Sequence, residues 1–428
     1  MISGLLNTFN LNNKINGKKL FTFYLFALAL ILLIEGIMVY YFPIVLDLAF
    51  DSTFVVGAII SFANIIAASL DFLIPEVFKK RTWKFLILLA VIFQTLFPFS
   101  VQLGILTNFS ALLILAAAFW NIYYEFMAFS RQSFLTHNEK KEDYSKDWSL
   151  FALVSGFTSI IGPIIGSRIL NSSFLEGSVT IGVIQLLALL SVLLLISSSP
   201  SKQITGVLEN NKKIKLNILR EFKVWEILGR RVLPAIIMGV TLAMQFSAIA
   251  TVGGIFGEQL LGAQKLDWLL MFMFNVPGVL VALFLAKFSV PKYKKLASQI
   301  ALIGSGAILI LLPFISDYVV LVIIIFFISS IFSSIAWIFN EAVYSDLSRR
   351  SGEKHLYMNS IERLNDSAGF LIGPILIGFL SDKLGFFVGF LIIGSICVLI
   401  GVILLMITPK KIFIPHQELA ELNTKKNH

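Results

Sequence analysis

The residue with the most chemistry to offer is a carboxylic acid in an apolar setting. Glu35 lies fifteen residues past Leu20 in a run that reaches Leu46, with Leu33, Ile34 and Ile37 around it. At about 1.5 Å per helical residue, that places it near the middle of the run. An ionisable side chain at the centre of a membrane helix costs about 2.5 to 3.5 kcal/mol on insertion scales, so it needs a purpose or a partner. The run itself contains no Lys or Arg. Two chemistries stay open: the carboxyl carries a proton or meets a cation, or it stays protonated and hydrogen-bonds a neighbouring helix.

Other polar groups recur in a pattern. Glu125 follows Trp120, Asn121, Tyr123 and Tyr124, and the second half of the chain repeats the theme with Trp337, Asn340, Glu341 and Tyr344. Carboxylates among aromatic rings suit a lipophilic or cationic solute, through cation–π and apolar contact. The alternative is helix-end charge that reaches interfacial water. Tyr40 and Tyr41 add rings after Glu35, although with 40 Phe in the chain rings are expected in any segment. Gln245 and Asn275 are isolated amides, either solute contacts or interhelical hydrogen bonds worth about 0.6 kcal/mol each. Glu362 and Asp366 stand one helical turn apart with Arg363 beside them, as a gate or as a structural ion cluster.

Some chemistries are excluded by what the chain lacks. Cys397 is the single cysteine, which leaves no intramolecular disulfide and no thiolate cluster. The four histidines, His137, His355, His416 and His428, fall in polar segments or at the C-terminus, away from any buried metal set or triad. No phosphate-binding glycine loop and no matched nucleophile and base occur, so neither ATP hydrolysis nor an intramembrane enzyme is expected, and no cofactor or metal. The spans holding Glu35 and Gln245 carry no Lys or Arg, which disfavours anionic substrates.

These residues must be positioned by membrane helices. With 57% hydrophobic residues, 14% charged and a mean hydropathy of +0.88, the chain is far from the roughly 25% charge of soluble domains. A span needs about 20 apolar residues. Twelve runs qualify, at 20–46, 53–78, 84–103, 108–134, 147–170, 177–198, 232–257, 266–287, 296–315, 318–345, 358–381 and 384–408. With both termini cytoplasmic, all but Arg168, Lys265 and Lys383 of the 34 Lys and Arg fall on the inner side. The net charge of +9 therefore reports topology and not nucleic-acid binding.

The twelve runs divide into like halves. Ser149 to Ile164 and Ser360 to Ile375 share Ser, Leu and the tetrapeptide Ile-Gly-Pro-Ile at matching places, at an offset close to half the chain length. The expected fold is all-α and polytopic, with two pseudo-symmetric six-helix bundles over 1–198 and 232–428 and a cytoplasmic linker over 199–231. Within the linker, Ile214, Ile218, Leu219, Phe222, Trp225 and Leu228 recur at helical spacing between basic residues, the pattern of a helix lying on the inner membrane surface. Pro163 and Pro374 each remove a backbone donor from their helix, and Gly162 and Gly373 before them permit close approach by another helix.

Twelve spans in a 6+6 repeat, a long central loop, inner termini and Gly-Pro pairs in spans five and eleven resemble the major facilitator superfamily. Span five keeps Gly162, Pro163 and Gly166 of that family's antiporter signature, with Thr158 and Ser167 at two glycine positions, and span eleven has Gly369, Gly373 and Pro374. The loop after span two runs Glu76-Val77-Phe78-Lys79-Lys80-Arg81, with Glu where the family has Asp, and Arg131-Gln132 ends span four. The resemblance implies a secondary transporter whose substrate sits between the halves near mid-membrane, in a cavity lined by spans one, four, seven and ten. It also implies gating roles for Glu76 and Arg131. On this basis the expected function is proton-coupled transport of a small organic solute, leaning to export of lipophilic or cationic compounds, with Glu35 and Glu125 as coupling or cation-binding groups. Uptake of a neutral sugar or nucleoside is the alternative, and a non-transporting membrane protein such as a lipid scramblase is another. A monomer in the plasma or inner membrane is expected.

Overall fold

The computed structural model of the protein describes residues 17–78, 82–138, 144–198, 218–285, 293–350 and 355–409. Twelve α-helices occupy the twelve predicted spans. They are α1 (Gly17–Phe50), α2 (Thr53–Val77), α3 (Trp83–Thr107), α4 (Ser110–Asn138), α5 (Tyr144–Leu170), α6 (Phe174–Ser198), α7 (Ile218–Leu261), α8 (Leu269–Leu285), α9 (Lys294–Ile310), α10 (Val319–Arg350), α11 (His355–Leu384) and α12 (Phe386–Ile407). Among the described residues, ten of these contain a stretch long and apolar enough to cross a membrane. The chain is a multi-pass membrane protein.

The two short helices have a physical account. At about 1.5 Å per residue, the 17 residues of α9 cover roughly 26 Å, less than the ~30 Å hydrocarbon core. A 3₁₀ turn at Leu312–Ile315 continues that run. The other, α8, is equally short and follows a 3₁₀ turn at Gly262–Gln264. The linker prediction falls partly outside the described residues, which omit 199–217. From Ile218 the chain is helical and continues unbroken to Leu261 as α7.

The chain separates into two compact units. One holds Met1–Asp51, Phe62–Glu209 and Gly253–Asn275; the other holds Ser52–Ser61, Asn210–Val252 and Val276–His428. In the first, α3 packs along α4, and α1 along α5 and α6. The glycines of the repeated stretch explain the closeness of α1 and α5. A Cβ on Gly162 would overlap the backbone of Gly36, and one on Gly166 would press on the Tyr40 ring at 2.8 Å.

In the second unit α9 packs against α10 and α12. The second copy of the repeat behaves as the first does, since a Cβ on Gly369 or Gly373 would run into the α7 segment from Val240 to Ala248. Ser247 of α7 donates to the Gly369 carbonyl at 3.1 Å. Beyond Pro374, the Ile375 N–H is taken by Ser61 Oγ at 3.1 Å. Each Gly-Pro helix is thus packed against the first helix of its own half of the sequence.

Candidate functional site

Two clusters of ionisable groups emerge, one in each unit. In the first, aromatic packing sets the register of α1 against α4. Tyr24 stacks on Phe134 with ring centres 3.8 Å apart, and Trp83 stands edge-on to Phe134 at 4.9 Å. From α3, Gln94 donates to the Ile31 carbonyl at 2.5 Å, one turn before Glu35. This framework brings Tyr123 of α4 to the half-buried Glu35. The Tyr123 hydroxyl donates to Glu35 Oε2 at 2.5 Å. Arg131, two turns further along α4, acts electrostatically on Glu35, Tyr123 and Tyr24. Its Nε is buried with no hydrogen-bond partner among the described residues. Such a site can hold a carboxylate against desolvation: a phenol donor stabilises the charged form, and a guanidinium offsets part of its field.

The residues grouped with Glu125 in the sequence point to different sides of α4. Glu125 is itself buried, two residues from Tyr123 and therefore turned by about 200° to another side of α4. Tyr124 is exposed. Trp120 stacks on Phe97 at 5.5 Å and meets Phe42 edge-on at 6.0 Å, and Asn121 donates to the Ala117 carbonyl of its own helix at 3.1 Å. The polar contact of Glu35 is instead Tyr123, which the sequence pattern associates only with Glu125.

In the second unit three helix faces converge. α7 contributes Gly239 and Leu242; α10 contributes Trp337, Asn340, Glu341 and Tyr344; α11 contributes Glu362, Asn365 and Asp366. The spacings are i, i+3, i+4 and i+7, so each set lies on one side of its helix. They line a narrow recess beside an apolar core built from Val232, Ala235, Val343, Leu347, Met358 and Ile361. The carboxyls of Glu341 and Glu362 meet within hydrogen-bonding contact, with Asp366 and Arg363 close enough to act on Glu362. The Asn365 amide donates to the Tyr344 hydroxyl. Glu341, expected in a solute cavity, and Glu362 and Asp366, expected in a gate, therefore belong to one site.

The remaining candidates are held elsewhere. Gln245 is fully buried, donating to Ser305 Oγ at 2.5 Å and facing Cys397 Sγ at 3.7 Å, which is the geometry of interhelical hydrogen bonding. Asn275 donates to the Met271 carbonyl of its own helix at 2.8 Å. Glu76 falls in the last turn of α2, its side chain outside the described residues, as are Lys79, Lys80 and Arg81. Lys294, at the start of α9, pairs with Asp346 of α10 at 2.8 Å, an ion pair the loop sequence does not suggest. Its neighbour Lys295 has an ammonium pKa held below the usual value, by burial first and by Arg350 second.

Two further carboxylates were missed by sequence reasoning. Asp267 is 1% exposed; it accepts from Ser167 Oγ at 2.9 Å and from the Tyr40 hydroxyl. Tyr40 is thus committed to a carboxylate within the first unit. Asp382 caps the start of α2, accepting from the Thr53 N–H at 3.1 Å and from Ser52 Oγ at 3.1 Å, while Thr53 Oγ1 donates to the Gly378 carbonyl. Ser167 and Gly378 are the same position in the two copies of the repeat. Each stands three residues past the matched tetrapeptide that ends at Ile164 and at Ile375.

The profile of the Major Facilitator Superfamily matches residues 80–364. No curated protein matches the chain at a significant level. Among solved structures, the fold is similar to that of the nucleoside transporter NupG, at 14% identity and a TM-score of 0.68, covering 90% of this chain and 98% of that one. It is also similar to a bacterial homolog of the human lysosomal transporter Spinster, in an inward-facing and unoccupied conformation. There the identity is 12% and the TM-score 0.65, over 91% of this chain and 95% of the other.

Proposed function

Given that the chain belongs to the Major Facilitator Superfamily, we propose that it is a proton-coupled secondary transporter that exports a small lipophilic or cationic organic solute by alternating access. The observation that carries this reading is Glu35 in mid-helix, held by the Tyr123 hydroxyl at 2.5 Å and within the field of Arg131. When Glu35 is ionised, Tyr123 and Arg131 compensate its charge. When it takes a proton, that compensation is lost and the balance between conformations of the protein shifts. Two six-helix bundles, over 1–198 and 232–428, would rock about the linker at 199–231, in a monomer of the plasma or inner membrane with both termini cytoplasmic.

Proteoliposome flux under an imposed pH gradient tests the coupling. The gradient accelerates transport by the native protein, and Glu35→Gln removes that acceleration. Equal gradient dependence in the two proteins rejects the proton role. Uptake of a nucleoside or sugar has less support, because the side-chain amides of Asn121, Asn275 and Gln245 already have hydrogen-bond partners within the protein.

A further inference from the structure

The two compact units do not follow the two halves of the sequence. The first unit takes in Gly253–Asn275, the end of α7 and the start of α8, and the second takes in Ser52–Ser61, the start of α2. Both exchanged segments adjoin turns, α1–α2 and α7–α8, that the alternation of spans puts on the side away from the termini. In the topology proposed above, that is the outer side.

Each exchanged segment is fixed at the same position of a repeat copy. Asp267, two residues before α8, accepts from Ser167 Oγ of α5 at 2.9 Å and from the Tyr40 hydroxyl of α1. Thr53, the first residue of α2, donates through Oγ1 to the Gly378 carbonyl of α11 at 3.1 Å, and its N–H donates to Asp382 at 3.1 Å. Glycines bring the backbones together beside both contacts. A Cβ on Gly254 of α7 would press on the Tyr40 carbonyl and on Ile44 Cδ1 at 3.2 Å, and one on Gly57 of α2 would overlap the backbone of Pro374.

The two fastenings differ in where their carboxylates sit. Asp267 is 1% exposed, whereas Asp382 is exposed and its donors are open to competition from water. A hydrogen bond to a buried charged acceptor is the stronger kind, and leaving its donors without that acceptor is the costlier change. We infer that Asp267 is the latch of the outer side: by holding the α7–α8 turn on Tyr40 and Ser167 it keeps that side closed, and it lets go before the second half of the sequence swings away from the first, while Asp382 contributes little. The latch rests on the alternating access proposed above.

Cysteine labelling of the full-length protein in detergent tests it. The reporter is Ile44→Cys, at a fully buried position beside Gly254, in a Cys397→Ser background, and the reagent is a trimethylammonium methanethiosulfonate. Asp267→Asn is expected to speed labelling about tenfold or more, Ser167→Ala several-fold, and Asp382→Asn less than about threefold. Since each half swings as one body, a single reporter reads both fastenings. Native Cys397, fully buried in α12, reports general loosening in a second series without Ile44→Cys, and its labelling stays slow in every variant. Unchanged labelling at position 44 in Asp267→Asn, an equal rise in Asp382→Asn, or a parallel rise at Cys397 overturns the latch. Ser167→Ala decides by the same criteria if Asp267→Asn does not fold. Labelling needs neither solute nor pH gradient, so the two failures are distinguishable. Faster labelling in Asp267→Asn, with no solute moved by the native protein, keeps the latch and removes the transport reading; solute flux with unchanged labelling removes the latch alone.

Discussion

Glu35 in the first unit and the Glu341–Glu362 pair in the second solve the same problem in opposite ways. Glu35 is a lone carboxyl, compensated by a phenol donor from the next helix and by a guanidinium two turns away. Glu341 and Glu362 are crowded by a third acid, Asp366, with Arg363 beside them on α11. A carboxyl compensated by fixed partners responds to the protonation of one group. A crowded cluster responds to any change of charge among its members. The comparison separates two settings that composition alone merges, a carboxyl compensated by fixed partners and carboxyls crowded by like charge.

Both sites depend on the close packing of a Gly-Pro helix, and that is where substitution should act most strongly. Gly162→Ala and Gly373→Ala each place a methyl where backbone already sits. Each is expected to cost about 3 kcal/mol, at the upper end for overpacking, and to lower the melting temperature or the yield of folded protein in detergent. Unchanged melting of either variant would separate the two halves in the way they pack.

The next effect sharpens the contrast itself. Tyr123→Phe removes a donor to a carboxylate, a bond worth about 1.5 to 3 kcal/mol, so the gradient response of transport should weaken roughly tenfold or more while the folded protein persists. Tyr344→Phe takes away only a neutral acceptor for the Asn365 amide. Its cost is about 1 kcal/mol in melting stability, with the gradient response kept. Equal losses of coupling from the two substitutions would erase the division of labour. The smallest change is expected from Asp346→Asn. The Lys294–Asp346 pair is part-exposed, so its removal should shift stability by less than about 1 kcal/mol.

Most of the architecture was legible in the chain. Twelve apolar runs became twelve helices because a membrane leaves the backbone few alternatives to an internally bonded helix. The repeat from Ser149 and from Ser360 became two helices whose glycines meet α1 and α7 backbone in corresponding ways. What stayed hidden was which helix face meets which. Spacing along α4 groups Tyr123 with Glu125, but the face that carries Tyr123 looks at α1, so its partner lies 88 residues away in Glu35. Glu341 and Glu362 belong to different helices, and no periodicity within either run links them. Asp267 lies at the edge of an apolar run, and nothing within that run links it to Ser167 and Tyr40, whose hydroxyls donate to it.

The central claim is that Glu35 carries the proton. Proteoliposomes loaded with a pH-sensitive dye report it when a solute gradient is applied without any pH gradient. The account predicts that transport by the native protein moves protons across the membrane, and that Glu35→Gln still exchanges labelled for unlabelled solute but moves no protons. Proton movement at the native rate in Glu35→Gln would contradict it.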